Sequence, residues 1–403
     1  MKNILLVVVI ISIHFQTKAQ FSKNGKKEII IATVDSICSE TLKEHREIWV
    51  HLPVEGKEGE KYPVLYILDA PEQFSPIAGI VSHLEKWDMP QTIVVGIPNT
   101  DRIRDFTPTD APASPGEPFE NSGGYENFIN FMECELAPYL KNKYPVDEMS
   151  TIVGHSLAGL FVVNTYVSDP RVFDKYLAID PAVSWDDQIF VDTSEELLQK
   201  NNYQDKSLHV AVANSTSVDT VRVRRMNDRH TEHLRANLNF HDILVENKQH
   251  LDATWEYYPY DDHRSLIIPS MYSGIKNLFS WYKFKARWLF NTPKGYSAKE
   301  LTEPYYTHFK TLSTHFKRDM KPEWEFVNEV AFFILDVHKL PEKAKAYLDV
   351  NLHFYPDESR SYVAMGDFYL KEKKKKAAVE YYKKAIEIDG NTDALKKLKK
   401  LTK

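Results

Sequence analysis

The hexapeptide Gly154-His155-Ser156-Leu157-Ala158-Gly159 sets a serine among small residues, a pattern suited to nucleophilic catalysis at a strand-to-helix junction. A serine hydroxyl is a poor nucleophile at neutral pH. It needs a base to take its proton and donors to hold the charge that develops on the attacked carbonyl oxygen. A sharp turn serves both needs: it lifts Ser156 Oγ clear of the sheet edge and aims the first helical amide, Leu157 N–H, at the oxyanion. The apolar Thr151-Ile152-Val153 before the hexapeptide reads as the strand, and residues 160–167 after it read as the helix. Ala158 stands where the G-x-S-x-G form has its last glycine, and Gly159 follows one step later. The competing reading is an ordinary β-turn-α junction.

The chain has fifteen histidines, so the base must be chosen on position. His263 lies in Asp261-Asp262-His263-Arg264-Ser265, directly after the aromatic run 255–260 and downstream of the serine. That gives the chain order serine, acid, histidine. His155 adjoins Ser156, and neighbouring side chains at a tight turn diverge. His230 and His233 fall on a predicted helix at 227–239 and read as surface or supporting groups. The other reading of His263 is a loop histidine satisfied by Asp261 or Asp262.

The acid must reach the imidazole edge opposite the serine. Asp219, a short loop beyond the strand-like 208–213, is the first choice, Asp228 the rival, and a dyad without an acid the third reading. The Ala70 amide, directly after the apolar run that ends at Asp69, is the natural second oxyanion donor. No histidine–carboxylate cluster at metal-ligand spacing and no phosphate-cradling glycine loop is present. No metal and no cofactor is therefore expected.

These residues need a scaffold, and the pattern supplies one. Residues 28–36, 47–52, 62–69, 91–97, 175–180, 208–213 and 255–260 read as strands; 77–86, 126–144 and 227–239 read as helices. Runs as continuously apolar as Tyr62-Pro63-Val64-Leu65-Tyr66-Ile67-Leu68 suit strands covered on both faces. The alternation argues an α/β fold with a mostly parallel sheet, whose reactive residues sit beyond the strands' C-terminal ends. The polar passage 98–124 is long for a compact domain. Within it, Arg102, Arg104 and Asp105 read either as pocket rim or as charge pairs of a solvated loop.

At this point the sequence resembles the α/β-hydrolase branch that includes ferric-enterobactin esterases, S-formylglutathione hydrolases and some feruloyl esterases. The resemblance rests on Tyr62-Pro63-Val64-Leu65-Tyr66-Ile67-Leu68-Asp69 and on Gly96-Ile97-Pro98-Asn99-Thr100-Asp101-Arg102 with Arg104-Asp105 and Thr107-Pro108. The serine hexapeptide and Asp261-Asp262-His263-Arg264-Ser265 complete the set. It covers about residues 28–285 and implies an α/β-hydrolase fold and carboxylic-ester hydrolysis through a Ser156 acyl-enzyme with His263 as base. Siderophore trilactones and acyl-carbohydrate esters are the substrates it brings into view. The chain departs from the family pattern at Ala70, Ala158 and Arg264, where glycine is common. It departs again at Pro181-Ala182 and the single Trp185, where Pro-Ser and paired tryptophans are common. These positions touch the pocket, so Arg102 and Trp185 are the expected substrate contacts.

From about Thr302 the composition turns helical. Tyr362, Gly366, Tyr369, Ala378, Tyr382 and Ala385 fit a tetratricopeptide repeat, a helix pair of period roughly 34. One period earlier, Phe332, Leu335, Ala344, Leu348 and Pro356 sit at corresponding offsets. The unit reads as a stabilising cap, a site for a protein partner, or a lid over the pocket. The expected division is a signal peptide at 1–20, a hydrolase domain at 21–290 and an all-α repeat domain at 300–403.

Lys2, the apolar 4–13 and Thr17-Lys18-Ala19 form a secretory pattern too short for a comfortable span. The expectation is an exported, periplasmic or secreted protein without a stable membrane anchor. With 403 residues, 43% of them hydrophobic, two folded units are affordable. The net charge of −6 gives no reason to expect a nucleic-acid partner. Two cysteines, Cys38 and Cys134, do not make a disulfide scaffold; one bridge or two unpaired buried thiols are the readings.

Overall fold

The computed structural model of the chain describes residues 29–111 and 121–402. The export signal expected at 1–20 lies outside them, as do residues 112–120 of the polar passage. Eight strands form one sheet in the order β1-β2-β4-β3-β5-β6-β7-β8. They are β1 Thr33–Ser39, β2 Glu44–His51, β3 Tyr62–Leu68, β4 Ile93–Ile97, β5 Val146–His155, β6 Lys175–Ile179, β7 Ser207–Ala213 and β8 Asp252–Tyr258. Pairs β1–β2 and β2–β4 are antiparallel, and every later pair is parallel. This is the expected α/β architecture, an α/β-hydrolase fold. The first strand begins at Thr33, so residues 29–32 of the expected 28–36 lie before it, and residue 28 lies outside the described residues.

The near-continuous apolar strands are explained by what covers them. Every residue of β3, β4, β6 and β7 is buried, as expected where helices cover both faces. One face packs against Phe128, Leu160, Phe161 and Phe240 from the helical segments on that side. The other packs against Phe74, Ile77 and Val81 of the helix Ala70–Leu84 and Met271 and Ile275 of the helix Ile267–Leu278. Gly96 permits the first of these contacts, since a Cβ there would lie 2.4 Å from the Phe74 ring and 2.9 Å from Ala70 Cβ.

Of the charged residues after β4, Asp105 is withdrawn from solvent. Asp105 is fully buried and accepts from Arg46 and Arg104, each at 2.8 Å. The Arg46 side chain is itself wholly buried, and Arg104 reaches on to Glu44 at 2.8 Å. Removing one partner of a buried pair leaves the other charge uncompensated. Asp105→Ala is expected to lower the unfolding free energy by about 3–5 kcal/mol, measured as a reduced urea midpoint.

The C-terminal unit comprises the helices Ala298–Phe316, Trp324–Phe333, Pro341–Phe354, Ser359–Lys371, Lys375–Asp389 and Thr392–Thr402. The repeat geometry is as expected. Ala378, Tyr382 and Ala385 are buried, and a Cβ on Gly366 would meet the Tyr382 ring at 2.5 Å. The first helix joins two cores: Leu301 and Tyr305 belong to the helical unit, while Leu312 and Phe316 enter the sheet's core. His315 and Phe316 approach Met149 and Lys175, residues in the N-terminal parts of β5 and β6. Ser156 and Asp180 lie at the opposite ends of those strands. The unit is therefore no lid over the serine.

Cys38 and Cys134 are unpaired and exposed, so neither the bridge nor the buried thiols are found. Among the described residues no helix is long and apolar enough to cross a membrane.

Candidate active site

Ser156 follows β5 directly and precedes the helix Leu157–Ser168. Its backbone is held at φ 61°, ψ −118°, a conformation that costs free energy and persists only where the surroundings enforce it. They do so here. Ser156 N donates to the Ile179 carbonyl at 3.0 Å, and its carbonyl accepts from Leu160 N and Ala182 N at 2.9 Å each. The small neighbours are obligatory: a Cβ on Gly154 would lie 2.2 Å from the Ala158 carbonyl oxygen, and one on Gly159 2.9 Å from Pro181 Cα. Leu157 opens its helix, so its amide is among the first few that have no partner within the helix.

Ala70 likewise opens the helix Ala70–Leu84, behind Asp69 in a left-handed conformation (φ 56°). The expected substrate contact Arg102 is occupied at this point. It forks onto Asp69 at 2.8 and 3.0 Å and donates to the His155 carbonyl at 3.2 Å, and Asn99 also donates to Asp69. Arg102 thus braces the Ala70 loop against the serine turn. Replacing it with lysine keeps the charge but loses the planar fork, so Arg102→Lys is expected to lower the melting temperature. Trp185 is half-buried against the core, its indole N–H bonded to Thr109 Oγ1 at 3.2 Å. Its ring serves packing as much as any pocket.

The acid beside His263 is Asp180, not Asp219. His263 Nδ1 and Asp180 Oδ2 are 2.6 Å apart. Asp180 follows β6 immediately, with φ 40°, and its other oxygen accepts from Ala213 N at 3.1 Å. Asp219 is exposed and caps the short helix Thr220–Val223 by accepting from Arg222 N at 2.9 Å. The rival Asp228 caps the helix Arg229–Glu246 through Thr231 N at 3.0 Å. Both candidates spend their carboxylates on helix starts. Asp261 and Asp262 do not hold His263 either; they bond Ser265 and the loop amides.

Burial alone would raise the Asp180 carboxyl, but His233 and His263 overcome it and hold it well below the usual carboxylate range. His233 Nε2 stands 3.3 Å from Oδ2, close enough for charge attraction but without the alignment of a hydrogen bond. Asn237 fixes this helix to the Asp180 loop by donating to the Pro181 carbonyl at 3.0 Å. His155 is pushed down to about 4 by burial and by neighbouring His263. It is therefore neutral at pH 7, and its Nε2–H donates to the His263 carbonyl at 2.7 Å. The chain thus brings Asp180, His233 and His263 together from three elements, a cluster invisible in sequence spacing. One signal did point to Asp180: it ends a buried strand, as Ser156 does one strand away.

The fold, the strained serine turn and the aspartate–histidine pair at the strands' C-terminal ends define the class of the α/β hydrolases. The chain belongs to the Putative esterase family, whose model matches residues 39–264; a tetratricopeptide repeat model matches 359–392. Ferri-bacillibactin esterase BesA of Bacillus subtilis is 29% identical over 184 residues, 41% of this chain and 63% of that protein. The chain thus spans less than two thirds of that relative's length. Among solved structures, an IroE-like serine hydrolase from Shewanella oneidensis is 28% identical, with a TM-score of 0.64 over 80% of this chain and 99% of that one. An uncharacterised protein from Capnocytophaga ochracea shares the fold at 16% identity, with a TM-score of 0.64 over 92% of this chain and 99% of its own.

Proposed function

We propose that this protein hydrolyses carboxylic esters through a Ser156 acyl-enzyme and that its substrates are siderophore esters. The observation that carries the chemistry is Ser156 on its strained turn with the Asp180-oriented imidazole of His263 at the adjacent strand ends. His263 takes the Ser156 proton as Oγ attacks the ester carbonyl. The Leu157 and Ala70 amides receive the oxyanion, and the proton passes to the leaving alkoxide. Water then attacks the acyl-enzyme with His263 again as base, releasing acid and restoring Ser156. Asp180 keeps the proton on Nδ1, so Nε2 is the basic nitrogen.

Siderophore esters are favoured over neutral acyl-carbohydrates by the name of the BesA relative and by charge. Arg222, Arg225 and Arg229 are exposed, with no carboxylate partner among the described residues, and Arg264 is exposed beside Asp262. They lie on the segments that follow β7 and β8, the same segments that carry His233 and His263. An iron-loaded catecholate ester is an anion, and exposed unpaired cations draw anions in. The secretory pattern of residues 1–20 supports export, and the tetratricopeptide match supports a protein-docking role for the C-terminal unit.

A fluorophosphonate probe is expected to add once to the protein, on Ser156, as read by intact and peptide mass spectrometry. No adduct together with no turnover of any ester would reject the enzyme reading and leave the helical repeat as the functional end. Substrate class is read separately. kcat/KM for an iron-loaded tricatecholate trilactone should fall with rising salt and fall again in the Arg222→Gln/Arg225→Gln/Arg229→Gln variant. The value for a neutral p-nitrophenyl ester should change little.

A further inference from the structure

We propose that Asp180 Oδ2, His233 Nε2 and His263 Nδ1 together bind one Zn2+ ion reversibly, and that the bound ion switches the serine site off. The three ligand atoms lie within 4.8 Å of one another. One carboxylate and two imidazoles are a donor set that zinc accepts with a fourth, open position. At zinc's bond lengths the ligand atoms of a tetrahedral site stand about 3.3 Å apart. The His233–Asp180 pair is already at 3.3 Å, and the 2.6 Å His263–Asp180 contact needs to open by about 0.7 Å to reach that spacing.

A second observation points to a ligand here. His233 Nε2 is buried and faces the carboxylate at 3.3 Å without the alignment of a hydrogen bond, a poorly satisfied polar atom of the kind that needs an explanation. A metal satisfies it directly. The groups are also held as a site should be. Ala213 N fixes the other oxygen of Asp180, Asn237 anchors the His233 helix to Pro181, and His155 anchors the His263 backbone. Solvent reaches both imidazoles, whose side chains are 27% and 37% exposed.

In the metal-free site Nδ1 of His263 carries the proton and Nε2 carries the lone pair. When zinc takes the Nδ1 lone pair, the neutral ring holds its single proton on Nε2. Nε2 is then a donor and cannot accept the proton of Ser156. No bond to the serine forms or breaks, and removing the ion restores the first tautomer. Inhibition rests on the esterase reading above, whereas binding does not.

The test therefore has two arms. In the Ser156→Ala protein, Co2+ added as a zinc surrogate is expected to give the visible d–d bands of a tetrahedral ion with one equivalent bound. These bands should vanish in Ser156→Ala/His233→Asn and in Ser156→Ala/His233→Phe, each checked for folding by circular dichroism. In the wild type, Zn2+ should inhibit p-nitrophenyl ester hydrolysis, a chelator should reverse it, and His233→Asn should raise the inhibitory concentration at least about tenfold. Absence of the cobalt bands, or inhibition unchanged by His233→Asn, overturns the proposal; the latter would place the metal elsewhere, the exposed thiols included. Cobalt bands without any esterase turnover would keep the metal site and reject the esterase reading.

Discussion

Ser156→Ala is expected to lower kcat for a p-nitrophenyl ester by at least about a thousandfold while leaving KM within a few-fold. His263→Ala should cost about as much, and the double variant little more than either single one. Such non-additivity is the mark of groups that act as one unit: without the nucleophile the base has nothing to deprotonate, and without the base the hydroxyl is not activated. The residual rate would come from the oxyanion donors and substrate binding alone. Stability should move the other way. Ser156 is held at positive φ, where no non-glycine residue is comfortable, and alanine shares that strain. Ser156→Gly should therefore be inactive yet unfold at a higher denaturant concentration than Ser156→Ala. Steady-state rates and urea titrations on the same preparations check both halves, and a Ser156→Ala protein that keeps its turnover would rule out the acyl-enzyme.

The serine and its base were legible in the sequence because their signals are local. Small residues around Ser156 answer a backbone approach of 2.2 Å between an added Gly154 Cβ and the Ala158 oxygen. That constraint acts within five residues. His263 stands just beyond the last strand, and strands as apolar as β3 announce themselves. The acid was not legible in this way. It lies 83 residues from His263, and only the sheet order makes them neighbours: β5 pairs β6 with His155 opposite Ile179, and β6 pairs β7. Asp219 follows a strand by a short loop, and both it and its rival Asp228 cap helices. Aspartate also favours helix starts for a reason unrelated to catalysis, since it accepts the free amides there. The repeat unit shows the same division. Its signature residues could be read one by one, because each fills a seam between consecutive helices. Its seat at the N-terminal ends of β5 and β6 depends on Leu312 and Phe316 entering the sheet's core, a contact no periodicity encodes.

That division sets the second large effect. Asp180→Asn is expected to lower kcat by about 10⁴-fold near neutral pH, whereas Asp219→Asn should stay within about twofold. An asparagine keeps the size of the side chain, but its amide can donate to Nδ1. The proton then moves to Nε2, the wrong tautomer for taking the serine's proton; a loss of about 10⁴ is known for this exchange in the serine-protease triad. Stability separates the two sites as well. Because Asp180 is held below its unfolded value, its ionised form stabilises the fold above about pH 4, and that contribution fades as pH falls through the lowered folded value. Wild type and Asp180→Asn should therefore differ in melting temperature near neutral pH and converge toward acid. Asp219→Asn retains an N-cap residue and should track the wild type throughout. A large loss of kcat in Asp219→Asn with little loss in Asp180→Asn would return the acid's identity to the sequence's first choice. A large loss in Asp180→Asn alone would tie the acid's function to the end of β6, where His233 also approaches its oxygen.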